Sequence, residues 1–395
     1  MLAVISAGVV DDSWLIPGSF CEGPFPWQMQ STSPAPKGIL LCGSAGAGNP
    51  LRLVMASPDL HAAARSGNFA QLPAGTLTAA SLAARNASGN TPLHVAARHG
   101  YLNRIPAELL TVAALSLKND AGYSPLHHAA SSGHLDQLPA GMLTAGLLEL
   151  RSNAGNTVFH LLVANGHLDQ LPLELITQAA FQLKSDVGNT PLHEAAEQGA
   201  LDRIPASFIT VAALSAKNLG GETVLHVAAF NGHLDQIAPD LLTAPALLEV
   251  TSTGDTVFHA AAISGHLQQI PAAFLTHRNL IGASKAGFTA IHAAAETGQL
   301  DKIPREHLTA DLLLTRNDNG DTPLHAAAFE GHLDQVPPEL LTGVNLAVRN
   351  YDGVSVWRTA SDRNFTHQIP AAFRPRNLGA AERFFRRIFR ARSPF

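Results

Sequence analysis

Histidine is the residue type that most invites a chemical reading, because its ring can act as a base or bind a metal near neutral pH. Nine of the 19 histidines fall at 61, 94, 127, 160, 193, 226, 259, 292 and 325, every gap being 33. Equivalent positions on stacked helices lie roughly 8–10 Å apart, too far for two of them to share one ion. The regular spacing therefore favours nine copies of one structural role over a metal centre. The four aspartates of the L-D-Q triplets (Asp136, Asp169, Asp235 and Asp334) recur with the same period. They read as first-turn acids that favour a helix dipole. The five histidines of the G-H-L triplets (134, 167, 233, 266 and 332) read as helix-end residues. The segment GSAGAGNP at 43–50 has the glycine spacing of a phosphate loop, but Asn49 and Pro50 replace its Lys and Ser/Thr, so the phosphate contact and the metal ligand are both missing. No Ser-His-Asp or Cys-His set stands apart from the repeating pattern. The expectation is a protein without catalysis, metal or cofactor.

The elements that carry these residues follow from the period. Glycines at 89, 122, 155, 188, 221, 254, 287, 320 and 353 keep the same register. So do threonines at 78, 111, 144, 177, 210, 243, 276, 309 and 342. In GNTPLHVAARHG (89–100) Thr91 is a natural N-cap and Pro92 suits the first helical position. Leu93, Ala96 and Ala97 form an apolar face whose small residues allow close helix packing. Gly100 supplies the left-handed residue that ends the helix. One such unit cannot bury its own apolar face, so the units must stack.

The period of 33, the T-P-L-H-x-A-A-x-x-G-H-L core and the glycine turn before the next threonine resemble the ankyrin repeat, over about residues 58–370. The resemblance implies an all-α solenoid of about ten 33-residue units, counting degenerate end caps, with projecting finger turns and a concave groove. It also implies that the T-P-L-H histidine is buried and hydrogen-bonds neighbouring turns.

A recurrent proline departs from that pattern. It stands at 73, 106, 139, 172, 205, 271, 304, 337 and 370, with Ala238-Pro239 as the single slip, where an ordinary second helix would continue. A mid-helix proline costs about 3 kcal/mol, so nine of them signal a new segment rather than nine defects. PAELLTVAALSLKN (106–119) offers Pro106 as a new first helical residue, then Thr111 as an N-cap with Leu115 four residues on. The second helix of each unit is thus predicted to be broken into two or three short turns.

The first unit, MASPDLHAAARSGNF, lacks the Thr-Pro pair, and the tenth carries Arg358 at the histidine register and Trp357 at the leucine. Such degenerate ends are expected of capping units. Residues 1–54 fit no repeat, and Met55 sits where an N-terminus would fall, so 1–54 reads as a disordered or mis-assigned leader. The solenoid is placed at 55–375 and a basic amphipathic helix at 376–395. Both cysteines, Cys21 and Cys42, lie outside the repeats, which suits a reducing, cytoplasmic compartment. No apolar run is long enough for a membrane span.

Net charge is −5, but residues 371–395 hold seven arginines against Glu382, a local +6 that leaves −11 for residues 1–370. That acidic body argues against a general nucleic-acid binder. The tail AAERFFRRIFRARSPF places Phe384, Phe385, Ile388 and Phe389 on one helical face and Arg383, Arg386, Arg387 and Arg390 on much of the other. It could cap the last unit, dock on an acidic membrane surface or acidic partner, or bind RNA.

The position four after each T-P-L-H histidine should face the groove. It reads Arg98, Ser131, Ala164, Glu197, Phe230, Ile263, Glu296 and Phe329. Large apolar side chains at Phe230, Ile263 and Phe329, with Phe288 at a finger position, suggest a partner-binding stripe. The alternative is that they pack against the fingers or the tail. The leading expectation is a monomeric, non-catalytic interaction scaffold for a protein partner. The alternative is a membrane- or nucleic-acid-tethering protein acting through the tail, with the solenoid as spacer.

Overall fold

A computed structural model describes residues 59–374. The leader 1–54 and the basic tail 376–395 lie outside the described residues, as do Arg383, Arg386, Arg387 and Arg390.

Each unit begins with one inner helix. These helices are Leu60–Ser66, Pro92–His99, Pro125–Ser132, Val158–Ala164, Pro191–Gln198, Val224–Asn231, Val257–Ser264, Ala290–Glu296, Pro323–Glu330 and Val356–Asp362. Each packs against the helix before it and the helix after it. Leu93, Ala96 and Ala97 are fully buried, as are Leu126, Ala129 and Ala130 one unit on. Leucine fills the space between layers, and burying one contributes about 1.5–3 kcal/mol. The alanine pair lets the backbones approach.

The helices end where the sequence indicates. Gly232 has φ +77° at a C-cap, and an added Cβ would stand 2.8 Å from the ring of His266. Handedness and a close approach both demand glycine there. The G-H-L histidine therefore does more than end a helix: its ring lies on the glycine of the preceding unit.

The outer layer is broken, as the prolines predict. In the second unit it consists of the 3-10 turns Leu102–Arg104 and Ala107–Leu109, then the single α-turn Val112–Leu115. Thr111 caps that α-turn, its Oγ1 accepting from the Ala114 N–H at 3.2 Å, and Leu115 is fully buried. One detail differs from the expectation. Pro106 is not the first helical residue; it precedes the turn with φ −51° and ψ 132°, a polyproline-like conformation. The ring pre-sets that φ, so the proline costs no helical hydrogen bond. At the slip, Ala238 adopts φ −57° and ψ 132°, and Pro239 is the first residue of the turn. The aspartates of L-D-Q sit in three-residue 3-10 turns such as Leu135–Gln137, too short for the helix dipole first invoked for them.

Phe181 is the one aromatic in the series that ends with Leu115 and its equivalents. It packs edge-on to Phe159 on the inner helix of its own unit, centroids 5.2 Å apart, and stacks on Phe208 of the following unit at 4.8 Å. Aromatic pairs of this geometry add about 0.5–1.5 kcal/mol beyond area.

Successive fingers are joined by a backbone ladder in which one N–H of each finger donates to a carbonyl of the finger before. Asp120 donates to Ser88, Asn153 to Ala121, and so on to Tyr351, which donates to Asn319. At the ends, Asp59 caps the first helix, and Trp357 is buried on the inner helix of the last unit.

Candidate functional site

The structure fixes the chemistry of the periodic histidines. His94 Nδ1 accepts from the Thr91 backbone N–H at 3.0 Å, and its Nε2 lies 2.9 Å from the Tyr123 carbonyl. A backbone N–H can only donate and a carbonyl can only accept. The ring must therefore be neutral with its proton on Nε2. His127, His160, His193, His226, His259, His292 and His325 make the same pair of contacts. Burial pushes His94, His127, His160 and His193 down to about 4, against the partial support of those backbone bonds. Rings with both nitrogens engaged cannot serve as bases or ligands at neutral pH. Among the described residues no group of three or more His, Cys, Asp or Glu could hold a metal ion.

This arrangement, a capped helix tied through histidine to the next finger in unit after unit, decides the family. An ankyrin-repeat model matches residues 60–139 and 225–305, and a single-repeat model matches 319–351. The chain belongs to the ankyrin-repeat family. Residues 140–224, between the matched stretches, keep the ankyrin inner helix and its histidine bonds at His160 and His193. No curated protein matches the chain. Ankyrin repeats generally mediate protein–protein interaction and are typically non-catalytic. Among the described residues no helix is long and apolar enough to cross a membrane.

Between the ankyrin fingers and inner helices lie two hollows. Phe230, Ile263 and Phe329 are all exposed, at 53, 46 and 48%. Phe230 and Ile263 line one hollow of about 550 Å³, which the fingers close with Asn218, Glu222, Thr251, Thr253 and Asp255. Phe288 and Phe329 line a second hollow of about 370 Å³, with Glu296, Asp321, Glu330 and Asn350. The four predicted residues thus fall into two neighbouring hollows rather than one continuous stripe.

Two of them have partners within the chain. Phe288 is half-buried against the core, its ring 5.3 Å from that of His292. Arg363 lies over the Phe329 ring, 3.6 Å from the centroid, and donates to the Phe329 carbonyl. Phe288 and Phe329 are thus partnered by inner-helix residues, His292 and the capping Arg363, while Phe230 and Ile263 stay open. Ala164, at a position expected to face the groove, is buried.

Three features escaped the sequence reading. The first is a glutamine clamp: Gln137 Oε1 accepts from the Leu102 N–H, and its Nε2 donates to the Gly100 carbonyl. Gln236, Gln269, Gln335 and Gln368 repeat both bonds one unit apart. The residue was visible in every L-D-Q triplet, but its partners lie some 35 positions back and local reading cannot find them.

The second is a ridge of basic residues at the finger bases: Arg85, Lys118, Arg151, Lys184, Lys217, Arg316 and Arg349, interrupted by Val250 and Ala283. Several reach the next unit's equivalent carbonyl, as Arg151 does to Lys184 and Lys184 to Lys217. Listing each repeat position in turn would have shown it.

The third is the charge of the two hollows. Glu197, Glu222, Asp255, Glu296, Asp321 and Glu330 line them, without a lysine or arginine. Among the described residues none of the six is in an ion pair.

Proposed function

We propose that this protein is a non-catalytic scaffold that binds a protein partner in the groove between fingers and inner helices, in its C-terminal half. The observation that carries the reading is the exposure of Phe230 and Ile263 on adjacent units, and of Phe329 two units further on, beside open hollows. Large exposed apolar side chains cost solubility and are concentrated where another surface covers them. Aromatic anchors in such hollows dominate binding energy, while the surrounding polar residues set orientation. The N-terminal half offers no such anchors; Arg98, Ser131 and Ala164 stand at the equivalent places.

The test is affinity capture from source cells with the full chain and with Phe230→Glu plus Phe329→Glu. Both positions are exposed, so the variant should keep its circular dichroism and its unfolding temperature. The expected result is loss of at least about tenfold in captured partner, the yield of removing two anchors of about 1 kcal/mol or more each. Undiminished capture by a folded variant would place the binding surface elsewhere.

A further inference from the structure

We infer that the occupant of the C-terminal groove, before any external partner, is the chain's own C-terminal segment, residues 380–395. The inference rests on the groove reading above and adds to it a resident competitor.

The groove and the C-terminal segment are chemically complementary. The hollow beside Phe329 presents two aromatic side chains, Phe288 and Phe329, together with Glu296, Asp321 and Glu330. Glu296 and Glu330 are exposed. None of the three carboxylates has an ion-pair partner among the described residues. The surface asks for a segment that is apolar and cationic at once. RFFRRIFR, residues 383–390, is that composition: three phenylalanines and an isoleucine among four arginines. Arg363 shows that a guanidinium is received there, its Cζ standing 3.6 Å from the centroid of the Phe329 ring.

Reach is sufficient. Residues 375–382 can span up to about 28 Å when extended. Phe329 belongs to the unit next to the last, and neighbouring units are about 10 Å apart. A tethered segment also competes at an effective concentration on the order of millimolar, so even a weak contact would hold the groove against a dilute partner. A partner would then have to displace the tail. The tail's phenylalanines and arginines together set the threshold.

The experiment titrates a fluorescent peptide of residues 380–395 into three full-length proteins: the natural chain, a tail variant (Phe385→Asp with Phe389→Asp), and that tail variant carrying Glu296→Lys and Glu330→Lys. Circular dichroism verifies that all three fold alike. The expected result is that the peptide binds the tail variant at least about tenfold more tightly than the natural chain, since the resident competitor is gone. The added lysines should abolish that gain, and raising the salt should weaken it.

Equal affinity for the natural chain and the tail variant, or affinity untouched by the lysines, overturns the inference; the second outcome would fit a tail that caps the last unit. So does a natural chain that sediments as a dimer through its tail, or a peptide that binds phosphatidylserine vesicles and not the protein. The two readings fail separately. If capture depends on Phe230 and Phe329 but the peptide does not bind, only the tail assignment falls. If capture ignores both phenylalanines, the groove reading falls whatever the peptide does.

Discussion

At the scale of single residues, polar side chains hold this stack together as much as apolar ones do. Each T-P-L-H histidine is neutral in the fold, and four of them are held near 4 by burial. The unfolded chain takes up those protons near 6.5. Stability is therefore complete above pH 6.5 and declines as pH falls toward 4, by about 1.4 kcal/mol per pH unit for each such histidine. Urea midpoints should be level between pH 7 and 8 and drop steadily below 6.5; a midpoint unchanged at pH 5 would contradict the assignment. The glutamine clamp allows a sharper test. In the unit of Lys302, a lysine stands where glutamine belongs, and Gln299, three residues earlier, accepts from the Leu267 N–H at 2.8 Å instead. Gln299→Ala should cost about 1–3 kcal/mol by stranding that buried donor. Adding Lys302→Gln should recover most of it, measured by urea unfolding; no recovery would mean that the two positions are not interchangeable. The clamp residues were in plain view in the sequence, yet their role was not, because both partners lie a whole unit away. The histidines were legible as structural from their spacing alone.

At the scale of elements, the outer layer is the part of the fold that local chemistry writes most directly. The prolines at 106, 139 and their equivalents mark segment starts, and threonines 111, 144 and their equivalents cap the turns that follow. Sequence reading misplaced the proline by one residue, at the first helical position rather than before it. Both positions suit a φ near −60°, and only the backbone distinguishes them. The slip at Ala238 turns that correction into a prediction. Its φ of −57° and ψ of 132° match those of Pro106, and Ile237 before it is extended, as a residue preceding proline must be. Pro337-Pro338 shows that the doublet is accommodated in this fold. Ala238→Pro should therefore stabilise the protein by about 0.4–1 kcal/mol through the unfolded state. A loss of stability in thermal melts would show that the Ala238 N–H has a role the backbone bonds do not reveal.

At the scale of the whole molecule, the units are alike in what stacks and unlike in what they present. The buried leucine, alanine and histidine positions barely vary, so they carry the fold and say nothing of a partner. The position four after the histidine runs from Arg98 through Ala164 to Phe230, Ile263 and Phe329. That drift was legible once the repeat was aligned with itself. The carboxylates that accompany it were not, since Glu222, Asp255 and Asp321 come from fingers and meet the inner helices only in the folded stack. The central claim is that these open hollows are where a protein partner is held. The most direct measurement is the dissociation constant of a captured partner by calorimetry, for the natural chain, for Phe230→Glu plus Phe329→Glu, and for Leu173→Glu. Leu173 is the control, being 81% exposed on the outer layer. The groove variant should bind at least about tenfold more weakly, and Leu173→Glu within about twofold of the natural chain. A partner that ignores the groove pair and is lost with Leu173 would contradict the account.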